Sequence, residues 1–121
     1  PFYTEDYMTD YNDRFLASEI IREKVFEFYG EIIPYSTTVE IEEFKEREAG
    51  KDFIKAIIYV ERESQKGIII GKDGKAIKHV GLIAREEIEK EIGRKVYLEL
   101  LVKVIEKWRK DKSKLYKLGY K

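Results

Sequence analysis

Ile68-Ile69-Ile70-Gly71-Lys72-Asp73-Gly74-Lys75-Ala76-Ile77-Lys78 is the stretch from which the rest of this chain is read. Two glycines flank two charged residues, an apolar run precedes them, and Ile77 comes three positions after the second glycine. A helix entering Gly71 and another leaving Gly74 would be joined by a bare four-residue turn. Without Cβ atoms a second backbone can approach closely, and φ > 0 costs little. The turn opens a helix, where N–H groups without intrahelical partners and the dipole favour an anion. Lys72, Lys75 and Lys78 add positive charge around it. Such a turn fits a sugar-phosphate strand; it would equally serve as a tight helix–helix connection with no ligand.

Upstream, residues 1–11 show no period and read as a linker or arm from an absent N-terminal domain, with Asp10 or Asn12 capping the first helix. Ala17, Ile21, Val25 and Phe28 then form a helical stripe with Leu16 and Ile20 beside it; Gly30 and Pro34 stop the helix. Ser36 to Phe44 alternates, with Thr37, Val39 and Ile41 on one face, and reads as a strand with one wet face. A short turn through Gly50 leads to a second strand from Phe53 to Arg62, with Ile54, Ala56, Ile58 and Val60 on one face, so a hairpin is expected. Ser64 is placed to cap the short helix that runs into Gly71.

Downstream, Ile77, Val80, Ala84, Ile88 and Ile92 make the stripe of a longer helix ended by Gly93. Val96, Leu98, Leu100, Val102 and Val104 alternate along a third strand. The order helix, strand, strand, helix, helix, strand predicts an α+β domain over residues 12–105, with all helices on one face of a three-stranded mixed sheet. Residues 106–121 read as a basic C-terminal tail with short helical turns, in which Trp108, Tyr116 and Tyr120 interleave with Lys and Arg.

Composition bounds the function. The 121 residues make one ordinary domain. With no Cys there is no disulfide framework and no thiolate chemistry. No apolar run is long enough to span a bilayer and no signal peptide is visible. The first residue is Pro1, so the chain is expected to be a fragment of a longer protein. Charged residues reach 40%, which together with abundant Lys and Glu suggests a heat-adapted source. The zero net charge conceals a polarity: residues 1–50 carry 5 basic and 13 acidic side chains, while residues 51–121 carry 19 and 11. The basic half suits a polyanion, although two solvated faces would produce the same count.

Catalysis finds no support. A nucleotide-hydrolysing phosphate loop needs G-x-x-x-x-G-K-[ST] after a strand, and Gly71 to Lys75 is too short and leaves a helix. His79 is the only histidine, has no evident nucleophile beside it, and reads as solvated or facing a ligand rather than binding metal. One His without Cys makes no ordinary zinc site. Glu40, Glu42, Glu43, Glu46 and Glu48 read as a solvated face, with a divalent ion as the alternative. No cofactor, metal or small-molecule substrate is expected. Tail aromatics among cations suit single-stranded nucleic acid, by stacking and charge, and also suit packing on the domain; peripheral contact with a membrane surface is the lesser reading of the same segment.

The stretch Ile69 to Lys78 resembles the signature of KH domains, and the element order resembles their type II arrangement. Wider segments, Arg14 to Lys24, Pro34-Tyr35-Ser36, Val39 to Glu42, Val60-Glu61-Arg62, Ser64-Gln65-Lys66 and Leu118-Gly119-Tyr120, resemble the C-terminal region of the Era GTPase family. That resemblance implies a type II KH domain binding single-stranded RNA near the 3′ end of 16S rRNA during small-subunit assembly. It also implies a GTPase domain elsewhere in the parent chain as a partner, and a cytoplasmic location with peripheral contact at the inner membrane face. The nucleotide motifs of that GTPase domain are absent here. By resemblance, Gly71, Lys72, Asp73 and Gly74 hold the RNA backbone with Lys75, Lys78 and Lys66 nearby. Ile70 and Ile77 line the groove for bases, and Gly67 lets bases approach. Val60 and Arg62 are candidates for the opposite wall, and Trp108 and Arg109 for tail contacts. Two other readings stand beside this one: a KH domain of another ribosomal or transcription protein, and a KH-fold module that docks proteins.

Overall fold

The computed structural model describes residues 5–32, 37–47 and 50–105, with the side chains of 5–11 and 32 not included. Helix α1 spans Glu5–Tyr29 and ends in a short 3-10 turn, Gly30–Ile32. Strands β1 (Thr38–Lys45) and β2 (Asp52–Val60) come next. Then come helix α2 (Glu63–Ile70), a 3-10 turn at Lys72–Gly74, helix α3 (Lys75–Ile92) and strand β3 (Val96–Val104). The α+β type II KH arrangement anticipated from the element order is the one observed. The sheet order is β1-β2-β3, with β1 antiparallel and β3 parallel to β2.

The apolar stripes converge on one side of the sheet. Ala17, Ile20, Ile21, Val25 and Tyr29 of α1 meet Val80, Ala84 and Ile88 of α3 over Ile54, Ala56, Ile58 and Val60 of β2. Each fully buried Ile contributes about 1.5–3 kcal/mol relative to exposure. Ile57, on the other face of β2, is also fully buried.

Three local expectations are corrected. Helix α1 begins at Glu5 rather than behind a cap at Asp10 or Asn12. Its last core residue is Tyr29, while Phe28 is 46% exposed and packs its ring 5.0 Å from that of His79. The two positions are adjacent at the edge of the stripe, and only Tyr29 has a hydroxyl that reaches an acceptor inside. Helix α2 begins with Arg62 as its N-cap rather than Ser64. Gln65 reaches back, its Oε1 accepting the amides of Glu61 and Arg62 at 3.0 Å each.

A bulge in β1 completes the hairpin. The register shifts between Ile41 and Glu43, leaving Glu42 as the extra residue. Strict alternation from Thr37, Val39 and Ile41 would turn Glu43 toward the core; the bulge turns Phe44 inward instead, opposite Ile54 and 5% exposed. Glu42 pairs with Lys55 at 3.0 Å. Elsewhere in the acidic run Glu43 pairs with Lys45 and Glu46 with Arg94, while Glu48 lies outside the described residues. Among the described residues no group of acids or His is placed to hold a metal.

The end of the domain away from the glycine turn is fastened by Asp52, which is only 2% exposed. Its Oδ2 accepts from Arg94 Nε at 2.7 Å and its Oδ1 from the Arg47 amide at 3.2 Å. Arg94 also reaches Asp13 of α1 at 3.0 Å. One guanidinium therefore ties α1, the β1–β2 connection and the α3–β3 connection together, and its bond to Asp52 raises its pKa further. Removing it strands a buried carboxylate. Arg94→Ala is expected to destabilise the domain by about 3 kcal/mol in urea unfolding, and Arg94→Lys to recover only part, because a point charge cannot hold two carboxylates in a fork.

Candidate nucleic-acid interface

The glycine turn is built by backbone geometry that its sequence requires. Helix α2 closes with the Gly71 amide on the Gly67 carbonyl at 2.9 Å, and the Gly74 amide bonds the Gly71 carbonyl at 3.1 Å. Gly71 stands at φ 75° and ψ 176°, a region open essentially to glycine alone. A Cβ there would lie 2.6 Å from the Ala76 Cβ. Gly74 is left-handed at φ 72° and ψ 14°, with open space for 4 Å around the place a Cβ would take. Between them Asp73 is also left-handed, φ 56° and ψ 25°, a conformation Asp tolerates better than most residues. Lys72, Asp73, Lys75 and Lys78 are all exposed.

The turn is held from beneath. The Tyr29 hydroxyl at the end of α1 donates to the Ile69 carbonyl in the last turn of α2. That carbonyl is one of the four that a helix leaves without an intrahelical partner. Burial pushes the phenol up to about 12 from an ordinary 10.0.

From the turn, a groove of about 330 Å³ runs between α3 and β3, lined by Ile77, Lys78, Gly81, Leu82, Arg85, Leu98 and Leu100. Gly81 keeps it open: the nearest atom to a Cβ at that position is Leu100 Cδ1 at 3.6 Å. The helix-to-strand spacing is set by Glu89, whose Oε2 accepts the Val96 amide at 2.8 Å and Arg85 Nη1 at 3.1 Å. The Val96 amide is the main reason the Glu89 carboxyl titrates below its usual range, with Arg85 adding to it.

Of the residues expected from the sequence, the structure joins Gly71, Lys72, Asp73, Gly74, Lys75, Ile77 and Lys78 into one continuous surface. Lys66 and Gly67 lie on α2, and Ile70 leans against the core beside the turn rather than lining the groove. Val60 is the clear correction. It is 2% exposed and pairs with Val104 within the sheet, so it offers nothing to a ligand. Arg62 is exposed at the N-cap of α2 and does not line the groove. The opposite wall is β3, through Leu98 and Leu100. Alternation assigns both leucines to the core, and they do pack against it; being on an edge strand, they also face the groove. The one signal in the sequence for this wall is Gly81, a glycine inside a helix one turn after Ile77. Trp108 and Arg109 lie outside the described residues.

A KH domain family model matches residues 32–109, and the chain belongs to that family. It is 55% identical over 121 residues to the GTPase Era of Thermotoga maritima and 48% identical over 119 residues to the chloroplastic GTPase ERA1 of Zea mays. The chain spans about 40% of the length of the first of these and 29% of the second. Aquifex aeolicus Era bound to GDP and aluminium fluoride superposes with a TM-score of 0.75 at 45% identity, over 88% of this chain and 36% of that one. A structure of Era in complex with MgGDPNP and nucleotides 1506–1542 of 16S ribosomal RNA matches with the same score, identity and coverage. The chain thus corresponds to the KH portion of Era-type proteins, and no GTPase domain falls within the matched span.

Two outcomes are expected. Gly71→Ala should cost substantially more stability than Gly74→Ala, for which about 1 kcal/mol is expected, since only Gly71 combines a glycine-only conformation with a collision. Comparable losses in thermal unfolding would count against this account. For Tyr29, the folded pKa is the higher one, so its contribution is complete below pH 10 and is lost as the pH rises toward 12. Tyr29→Phe should lower stability at neutral pH by about 1 kcal/mol and flatten the alkaline loss measured between those limits.

Proposed function

We propose that this domain binds single-stranded RNA without chemical change, and that its target is the 3′ end of 16S rRNA during assembly of the small ribosomal subunit. The observation that carries the reading is the continuity of the glycine turn with the α3–β3 groove. The turn offers a helix N-terminus and lysines to the sugar-phosphate strand. The groove offers Ile77, Leu98 and Leu100 as apolar surface for bases, with Lys78 and Arg85 along it. A slot between one helix and one strand holds a single strand and excludes its complement. Asp73 stands exposed on the turn.

The choice of 16S rRNA rests on the Era structure whose complex contains nucleotides 1506–1542 of that RNA. In a parent chain with a GTPase domain, this domain would place that domain on pre-ribosomal RNA. The cytoplasmic location follows from that partner. No described helix is long and apolar enough to cross a membrane, and the membrane contact assigned to the tail lies outside the described residues.

The test is fluorescence anisotropy at fixed salt, comparing a short RNA of the 16S 3′ end, its duplex and a scrambled oligomer. Preference for the first supports the reading; equal binding of all three would leave only a general cationic surface. Lys72→Asp keeps both glycines and should weaken binding at least about tenfold, roughly 1.4 kcal/mol, with the circular dichroism unchanged. Gly81→Leu fills the groove floor while improving helix propensity by about 1 kcal/mol. It should abolish RNA binding with the melting temperature held or raised, and retained affinity would remove the groove from the site.

A further inference from the structure

The reverse side of the β3 edge carries a feature that the groove does not use. Phe53 of β2 and Tyr97 of β3 are partners in the register and stack with centroids 5.8 Å apart at 17°. The Arg47 guanidinium lies 5.8 Å over the Phe53 ring. With Lys51 these side chains enclose a recess of about 360 Å³. Tyr97 is 54% exposed. Among the described residues neither Arg47 nor Lys51 takes part in an ion pair, and both are exposed. Among the described residues nearby, Glu46 reaches Arg94, Glu42 holds Lys55, and Glu99 acts on the same lysine.

We propose that this recess is a second nucleic-acid subsite, in which a base of the same RNA strand stacks on Tyr97 while Arg47 and Lys51 contact phosphates flanking it. The inference rests on the groove being the RNA site. Successive residues of a strand point to opposite faces, so Leu98 lines the groove and Tyr97 stands on the reverse face one residue away. Among the described residues strand β3 is at the edge of the sheet. An RNA strand leaving the groove past Leu98 therefore turns around that edge and meets the rings. Exposed aromatic faces with unpaired cations beside them are the means by which proteins hold single strands independently of sequence. An acidic peptide would use the two cations but would leave the exposed ring unstacked.

The experiment uses two RNAs, one of about four nucleotides that fills the groove alone and one of about ten that extends past it. Tyr97→Ala should weaken the longer RNA about tenfold and leave the shorter unchanged, and Tyr97→Phe should restore the longer. Arg47→Gln with Lys51→Gln, both surface changes, should make the salt dependence of the longer RNA shallower by about 0.7 per lost contact. Unchanged binding of the longer RNA by both variants overturns the subsite, as does equal weakening of both RNAs, which would mark a purely structural role. Wild-type protein that binds neither RNA rejects the groove itself, and the subsite with it. A longer RNA that binds wild type no better than the shorter rejects the subsite alone.

Discussion

The conformation of Gly71 is the constraint on which the interface depends. Strand β2 must be joined to a parallel neighbour, so the chain has to travel the length of the sheet and return before β3 begins. It does so through two helices, α2 and α3, joined by a turn in which Gly71 adopts dihedrals that a Cβ would forbid, against Ala76. The sharpness of that reversal exposes the first turn of α3 and its lysines at the head of the groove. A looser connection would permit the same sheet while separating the glycine turn and its lysines from the apolar slot.

The rest of the domain acts to hold that arrangement. Tyr29 reaches from α1 to the Ile69 carbonyl and supports the turn from the core side. Glu89 receives the Val96 amide and fixes β3 at its distance from α3, which sets the width of the groove. At the far end Arg94 joins Asp52 and Asp13. The Tyr29 and Arg94 contacts link elements distant in sequence and Glu89 joins two consecutive ones; each places a polar group in a position where loss of its partner costs more than the bond itself. The walls of the groove are mainly apolar, with Lys78 and Arg85 along it.

Much of this is legible in the chain. Periods of 3.6 and 2.0 locate three helices and three strands, because each element buries one face and the pattern of burial is a local property. The glycine pair is legible because a backbone conformation closed to other residues leaves its mark at single positions. The turn half of the candidate surface, Gly71 to Lys75 with Ile77 and Lys78, is therefore readable from the residues alone as a sharp basic turn. The bulge at Glu42, the helix start at Glu5 and the choice of Tyr29 over Phe28 are not, since neighbouring positions fit the same stripe or strand and only a distant partner separates them.

What the sequence determined by itself is the set of elements, the turn that reverses the chain, and the basic character of the half that contains it. Only the tertiary structure decided which strand forms the second wall. Val60 and Leu98 both occupy apolar, alternating positions, and nothing local distinguishes them. The sheet order does: β2 is central, so Val60 is enclosed, while β3 is at the edge, so Leu98 and Leu100 face the core and the groove at once. Strand order is a property of the whole chain's packing, and a side chain's role at an edge is fixed by which neighbour is absent.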